Sequence, residues 1–363
     1  MADYTPLDLA FWCNVGTRFF GEGAEPPIGS QTFRGLPFRI GGEPPDPERC
    51  FLGFGGEASA PIEIPIGARA YTVIVAHTLL ESRIDDGEIP GRQIACYHFR
   101  YDDGEIVSVP IRERFEINRV PTPWGQLPFL AVTDRGDTLM PRYEGRWEAM
   151  GHRQSEVIPG GARHYYLWAW RNPRPDRALA ALTIEPRDRK FLVAAVTLGE
   201  RDEFPFVRGP RREVAITLRR EPDATRPFAL EVAVDRGVAT YPFPLPERTA
   251  EEFLADWYRG WGEPLNRRSS PAYVEIAAIP SAMVTLRNDA EELGRFRWGD
   301  LEAAGSVEQE RVRVDLVDRG KNWVHVTVVD DETGRPVPCR VHFRSPEGIP
   351  YQPHGHHHHV NSN

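Results

Sequence analysis

Two stretches decide the fold of this sequence: GARAYTVIVAHTLLES at residues 67–82 and GRQIACYHFRYDDGEIVSVPIRERFEI at residues 91–117. A polar loop separates the two apolar runs, and the second run turns over at Asp102–Gly104 before alternation resumes at Ile106. A D-G turn between alternating segments is the strongest short-range hairpin signal. We therefore predict antiparallel strands as the organising element. His77, inside the first run, is predicted to be a core or strand-end histidine with satisfied polar atoms.

A second β-rich stretch is RHYYLWAWRNPRPDRALAALTIEPRDRKFLVAAVTLGE at residues 163–200. Side chains of a strand alternate between its two faces, so Tyr166, Trp168 and Trp170 share one face. Their neighbours on the other face are also largely apolar, which predicts a central strand with Trp168 and Trp170 in the core. The runs LTIEP and FLVAAVTL predict two further strands.

Composition excludes several classes of function. The 44 basic and 53 acidic residues give a net charge of -9, so the positive surface expected of a nucleic-acid binder is missing. No apolar run approaches the roughly 18 residues that span a bilayer, and the start MADYTPLDLAFW does not resemble a signal peptide. We expect a soluble chain, either cytoplasmic or exported with its leader removed.

The 363 residues are enough for several domains, and we predict a mainly β, multi-domain β-sandwich protein. The predicted domains are residues 1–204, 205–319 and 320–363, with the bridge FPFVRGPRRE after the first. One short helix is predicted at 249–260 in the second domain, because Thr249 and Glu252 form a capping box.

The first 200 residues contain the segments PLDLAFWCNVG, GLPFRI, IPIGARAYTVIVAHTL, YHFRYDDGE and YLWAWRNPRPDRALAALTI. With these segments, the first domain resembles a galactose-binding-like jelly roll. The resemblance rests on strand order and turn chemistry. It implies an accessory carbohydrate-binding module of a bacterial protein that acts on polysaccharides.

The C-terminal segment VTVVDDETGRPVPCRVHF, residues 326–343, resembles the first hairpin of a transthyretin-like or carboxypeptidase-regulatory-like β-sandwich. The predicted turn lies at Asp330–Gly334. Because a lone hairpin is marginally stable in water, we expect either a piece of a longer protein or a hairpin that completes a sheet of the middle domain. Self-association through these strands is a further expectation.

Aromatic side chains in loops are the candidate sugar-binding groups. Trp124 lies in a proline-rich loop, and Trp147 lies beside Glu144 and Arg146. Sugars stack their C–H faces on such rings, while carboxylate and guanidinium groups bind the hydroxyls at the rim. For any single aromatic residue, a purely structural role is the competing interpretation.

Two clusters have residue types that bind metal ions. His354, His356 and His358 belong to a C-terminal histidine-rich run, in which imidazoles could bind zinc, nickel or copper, or could simply form a solvated tail. A loop containing two aspartates and one glutamate could bind a structural calcium ion, although solvation alone explains it equally well. Its residues are Asp85, Asp86 and Glu88.

The leading hypothesis is a carbohydrate-binding protein without catalytic function in this chain. One alternative is a metal- or carboxylate-dependent hydrolase that uses the histidine run or the acidic loops, and another is an assembly protein that pairs through its C-terminal hairpin. The sequence contains no GxSxG, HExxH or phosphate-binding loop motif. The glycines of FLGFGGEA precede no helical pattern, which argues against a dinucleotide site.

Overall fold

The structure is a computed structural model of the chain. It describes residues 3–21, 23–55, 59–121, 128–139, 157–245, 255, 266–317, 326–339, 343–344 and 350–351. With 47% strand and 6% helix in several antiparallel sheets, the predicted mainly β class is confirmed. Among the described residues, no helix has the length and apolar composition that crossing a bilayer requires.

The chain forms two compact units. The first consists of Met1–Thr138, Pro159–Arg208 and Asp235–Gly237. The second consists of Leu139–Ile158, Gly209–Val234 and Val238–Asn363. The predicted division into three domains stays a prediction.

Among the described residues before 209, the structure has fourteen strands and two short 3-10 helices, Thr17–Phe19 and Ile84–Asp86. The strands are β1 (Tyr4–Pro6), β2 (Gly29–Phe33), β3 (Leu36–Ile40), β4 (Leu52–Phe54), β5 (Ile62–Arg69), β6 (Thr72–Leu79), β7 (Gln93–Tyr101), β8 (Ile106–Arg112), β9 (Val132–Thr133), β10 (Thr138–Leu139), β11 (Val157–Ile158), β12 (Tyr166–Arg171), β13 (Ala178–Pro186) and β14 (Phe191–Gly199).

Two antiparallel sheets build the first unit. One has the strand order β1-β14-β6-β12-β9, with β4 also paired to β14, and the other has the order β5-β13-β7-β8. Buried side chains from both sheets form one continuous apolar core, so the sheets pack face to face as a sandwich. Successive strands β5, β6 and β7 alternate between the two sheets, and β12, β13 and β14 do the same.

The predicted D-G hairpin is confirmed as the turn between β7 and β8. Tyr101 N–H donates to the carbonyl of Glu105 at 2.8 Å, and Gly104 N–H donates to the carbonyl of Tyr101 at 3.1 Å. Gly104 has a φ of +84°, a conformation that glycine adopts without the steric cost of a Cβ. The first apolar run forms β6, which lies in the opposite sheet from β7.

Strand β12 is central and buried on both faces, as predicted. It pairs with β6 on one side and β9 on the other. Trp168 and Trp170 belong to the core between the sheets, and the ring of Trp170 stacks on Phe99 with centroids 3.7 Å apart. The outer face of this sheet is covered by the β2–β3 hairpin, which packs on β1 and β14.

His77 joins the two sheets inside the core. Its Nε2 atom lies 2.8 Å from the backbone carbonyl of Glu116, and its Nδ1 atom lies 2.9 Å from the hydroxyl of Tyr97. A carbonyl only accepts, so Nε2 carries the proton and Nδ1 accepts from Tyr97. The predicted satisfied core histidine is therefore confirmed. Burial lowers the pKa of His77 to about 4.

The described residues of the second unit include two short helices, α1 (Glu221–Ala224) and α2 (Trp298–Ala304). The predicted helix 249–260 lies outside the described residues, except for Ala255. The remaining strands are β15 (Arg212–Leu218), β16 (Leu230–Val234), β17 (Gly237–Ala239), β18 (Phe243–Pro244), β19 (Ala272–Ala278), β20 (Met283–Asn288), β21 (Glu291–Arg297), β22 (Ser306–Glu308), β23 (Val312–Leu316), β24 (Phe343–Arg344) and β25 (Pro350–Tyr351).

Antiparallel pairing organises these strands as well. One sheet has the order β17-β19-β15-β23-β22, with β18 also paired to β19, and a three-stranded sheet has the order β16-β20-β21. Alternate residues of β20, including Val284 and Leu286, are fully buried, whereas Arg287 is exposed. The three-stranded sheet therefore has one core face and one face directed away from the core.

The segment 326–339 reverses direction at Asp330–Gly334, as predicted. Gly334 N–H donates to the carbonyl of Asp330 at 2.8 Å, and Val337 N–H donates to the carbonyl of Val328 at 3.1 Å. Within this described segment, the only bridge joins Val329 and Pro336. Proline has no N–H donor, so a continuous ladder cannot run through the RPVPC sequence.

The buried His77 predicts a specific loss of stability in acid. The unfolded histidine has an ordinary pKa of about 6.5, so protons bind the unfolded state preferentially as the pH falls below that value. We expect His77 to lower the free energy of unfolding by about 3 kcal/mol between pH 7.5 and pH 4. The difference in pH dependence between wild type and His77→Gln in urea unfolding measures this contribution.

Tyr97→Phe is the matched control, because it removes the hydroxyl partner but keeps the imidazole buried. This variant should be less stable at every pH and should retain the acid-dependent loss. Equal pH dependence in wild type and His77→Gln would contradict the assignment of a neutral, buried imidazole.

Candidate functional site

The candidate functional site is the outer face of the four-stranded sheet β5-β13-β7-β8. Along β7, the aromatic rings of Tyr97, Phe99 and Tyr101 point into the core and are fully buried. Side chains alternate along a strand, so His98 and Arg100 project from the opposite face. The sequence HFRY thus places an aromatic layer inside and a polar surface outside.

A row of hydrogen-bonding side chains crosses this face. The strand register places Thr183 opposite Glu63 on one side and opposite His98 on the other, while His98 lies opposite Ser108. Four residues from four strands therefore stand side by side. With neighbouring strands roughly 4.8 Å apart, the row is about 14 Å long.

His98 is held between two side chains of neighbouring strands. Its Nε2 atom lies 3.0 Å from Oε2 of Glu185, and its Nδ1 atom lies 2.8 Å from Oγ of Ser108. An ionised carboxylate only accepts, so Nε2 is the protonated nitrogen, and in the neutral ring Nδ1 accepts the Ser108 hydroxyl. The hydrogen bond from His98, together with Arg187, lowers the pKa of Glu185.

The linked serine, histidine and glutamate have the residue types of a nucleophilic site. Such a site also needs donors aimed at the oxyanion that forms during acyl transfer. Backbone N–H groups of a sheet lie in the plane of the sheet and not above its face, so the strands do not supply these donors above Ser108. The serine, histidine and glutamate side chains can form hydrogen bonds with a ligand.

Arginines balance the carboxylates of this face. Arg100 contacts Glu63 at 2.8 Å, and Arg187 contacts Glu185 at 3.1 Å. Beyond Glu185, an open cleft of about 690 Å³ continues from the end of β13. Its lining residues are Arg92, Gln93, Pro186, Arg187 and Asp188.

The surface alternates acceptors, donors and hydroxyl groups on a rigid sheet. Carboxylates accept hydroxyl hydrogens, arginines donate to oxygen atoms, and serine and threonine hydroxyls do both. A ligand rich in hydroxyl groups can bond to the lone pairs and N–H groups that these side chains leave open to water, whereas an apolar ligand would displace that water without replacing its hydrogen bonds.

The predicted sugar-binding residues Trp124, Glu144, Arg146 and Trp147 lie outside the described residues. The histidine run with His354, His356 and His358 also lies outside them. The roles predicted for these side chains stay predictions.

The predicted calcium loop is described, and its acidic residues lie around the 3-10 helix Ile84–Asp86. Asp85 pairs with Arg119, while Asp86 is exposed. Glu88 binds the buried Arg189 with both oxygens at 2.8 and 2.7 Å. In the part of the chain that the structure describes, no three His, Cys, Asp or Glu side chains are grouped to hold a metal ion. The calcium ion stays a prediction.

The row of Glu63, Thr183, His98 and Ser108 was not predicted from the sequence. The alternation of polar and aromatic residues in CYHFRY was a usable signal, since it indicates which residues point away from the core. The partner Glu185 lies 87 residues further along the chain, so only the strand register could bring it to His98.

Comparisons with known proteins give no assignment. No model of a known protein family matches the chain, and no curated protein matches it. The function is therefore inferred from the geometry and chemistry of the site.

Because the Glu88–Arg189 ion pair is buried, breaking it should lower the free energy of unfolding more than breaking an exposed ion pair does. Arg189 is 2% exposed and pairs with two carboxylates, those of Glu88 and Asp188. Glu88→Gln removes the carboxylate that this buried guanidinium contacts with both oxygens. We expect this change to lower the free energy of unfolding by about 2 kcal/mol. Urea unfolding at pH 7.5 measures the loss.

Glu292→Gln is the matched control, because Glu292 pairs with Arg295 at the surface, with both side chains about half exposed. The effect of this control should be close to zero. Equal effects of the two substitutions would contradict a structural role of the Glu88–Arg189 pair.

Proposed function

We propose that this chain binds carbohydrate and has no catalytic function of its own. In this proposal it is the accessory region of a larger bacterial protein that acts on polysaccharides. The observation that carries the proposal is the row of Glu63, Thr183, His98 and Ser108 across four strands of one sheet. A linear ligand with regularly spaced hydroxyl groups fits such a row.

The polar side chains of the row are already oriented by their neighbours. Ser108 and Glu185 fix the ring of His98, and Arg100 fixes Glu63. Groups that are ordered before binding lose less conformational entropy when a ligand arrives. This favours recognition of a ligand whose individual hydrogen bonds are weak, as sugar hydroxyl bonds are in water.

The sandwich topology supports the resemblance to a galactose-binding-like jelly roll. Strands β5, β6 and β7 alternate between the two sheets, as do β12, β13 and β14. In a fold of this kind, a sheet face or the loops at its edge can carry the ligand. Our proposal assigns hydrogen bonding to the sheet face and stacking to Trp124 and Trp147.

A second candidate function is assembly through the C-terminal segment. Four valines of this segment are between 38% and 49% exposed: Val326, Val328, Val329 and Val337. Exposed apolar side chains in a segment with strand-like sequence are suited to pairing with another chain.

Carbohydrate binding is tested with a glycan array and affinity gels that contain neutral polysaccharides. We expect retention by wild type and about five- to tenfold weaker binding for His98→Ala and Ser108→Ala, because each removes hydrogen bonds worth about 1 kcal/mol. Trp124→Ala and Trp147→Ala should also weaken binding. Asp202→Ala is the control, because the Asp202 side chain is exposed and lies on the side of the other sheet.

Retention of no glycan would contradict the proposal. Unchanged retention of His98→Ala and Ser108→Ala would contradict the assignment to this sheet face.

Assembly is tested by sedimentation at several concentrations. If the valines pair two chains, the mean mass should rise with concentration, and Val328→Asp should return the protein to monomers. Thr327→Asp adds the same charge at a neighbouring position and is the control. A mass that stays monomeric at every concentration would contradict this candidate.

A further inference from the structure

A second cleft, with a volume of about 390 Å³, lies entirely within the second unit. Its floor is the side of β16 and β20 that faces away from the core. One wall is the segment Thr240–Pro242, and Leu139 adds an apolar contact surface. A volume of this size is within the range of small-molecule sites.

The wall is fixed to the neighbouring sheet. Thr240 N–H donates to the carbonyl of Glu275 at 2.9 Å, and Glu275 N–H donates to the hydroxyl of Thr240 at 3.0 Å. Directly after the wall, Phe243 pairs with Tyr273. Tyr241 is therefore presented to the cleft from a segment that is ordered by backbone hydrogen bonds.

Two side chains of opposite charge lie next to each other on the floor of the cleft without forming an ion pair. Glu231 on β16 and Arg287 on β20 are register partners and both line the cleft. Within the described residues, neither side chain forms an ion pair or a hydrogen bond. In contrast, Arg295 on the adjacent strand β21 pairs with Glu292 at 2.9 Å.

The next register pair deepens the cleft. Ala233 lies opposite Thr285, and Ala233 has no side chain beyond Cβ to fill the space. Thr285 adds a hydroxyl group that can donate or accept. The floor thus offers a guanidinium, a carboxylate and a hydroxyl, while Tyr241 and Pro242 offer apolar surface.

We propose that this cleft binds a sugar that carries one carboxylate, a hexuronate residue. The planar fork of Arg287 matches the carboxylate, Glu231 accepts the hydrogens of adjacent hydroxyl groups, and Tyr241 contacts the C–H face of the ring. The carboxylate of Glu231 repels a dianionic phosphate more than a singly charged carboxylate. This inference rests on the proposed carbohydrate function and adds a second, acidic specificity.

Isothermal titration calorimetry of the full chain with glucuronate, galacturonate, glucose and galactose tests the inference. We expect a uronate to bind and the matching neutral sugar to bind at least tenfold more weakly. Arg287→Gln should remove the preference for the uronate, and Glu231→Gln should weaken binding of the uronate several-fold. Arg295→Gln, at an exposed arginine that pairs elsewhere, should leave uronate binding unchanged.

Arg287 and Glu231 are exposed, so the variants should fold, and their circular dichroism spectra check this. Absence of uronate binding, or unchanged uronate binding by Arg287→Gln, would overturn the inference. Tighter binding of inorganic phosphate or of a free amino acid than of either uronate would also overturn it.

The two proposed sites can be separated. His98→Ala should weaken retention on neutral polysaccharides and leave uronate binding intact, whereas Arg287→Gln should do the reverse. If wild type retains neutral glycans but binds neither uronate, only this inference is contradicted. If wild type binds a uronate but retains no neutral glycan, only the assignment of the sheet face is contradicted.

Discussion

The aromatic layer between the two sheets of the first unit is the constraint on which the rest of that unit depends. Tyr97, Phe99 and Tyr101 on β7 face Trp168 and Trp170 on β12, with Phe99 and Trp170 stacked at 3.7 Å. Aromatic side chains bury large areas and so dominate the free energy gained by packing two sheets together. A shift of β7 by one residue would expose all three rings and bury His98 and Arg100, so this layer fixes the register.

The same constraint creates the candidate site. Because the odd-numbered residues 97, 99 and 101 are fixed inside, residues 98 and 100 must lie outside, where β5, β13 and β8 align further polar side chains with them. The second unit follows this logic on β20. Val284 and Leu286 are buried, which directs Thr285 and Arg287 to the opposite face and into the second cleft. In both units, core packing on one face of a sheet positions the proposed binding groups on the other.

Local patterns predicted the strands well and the site poorly. The D-G turn, the two-faced apolar strand at Tyr166–Arg171 and the core position of His77 all depend on a few neighbouring residues, and all are confirmed. Helix α2 was missed because it has no side-chain cap: Arg297 precedes it and makes no capping hydrogen bond. The partners of His98 could not be predicted, since they come from strands whose register depends on long-range packing.

In the proposed function, a carbohydrate ligand binds the His98 side of the four-stranded sheet and not the core side. Titration of the full chain with a neutral oligosaccharide that it retains, followed by NMR of the imidazole signals, distinguishes the two sides. The His98→Gln and His77→Gln variants assign the two signals. We expect the His98 imidazole signal to shift and reach saturation, while the signal of the buried His77 stays unchanged. Saturable binding that leaves the His98 signal in place would contradict it.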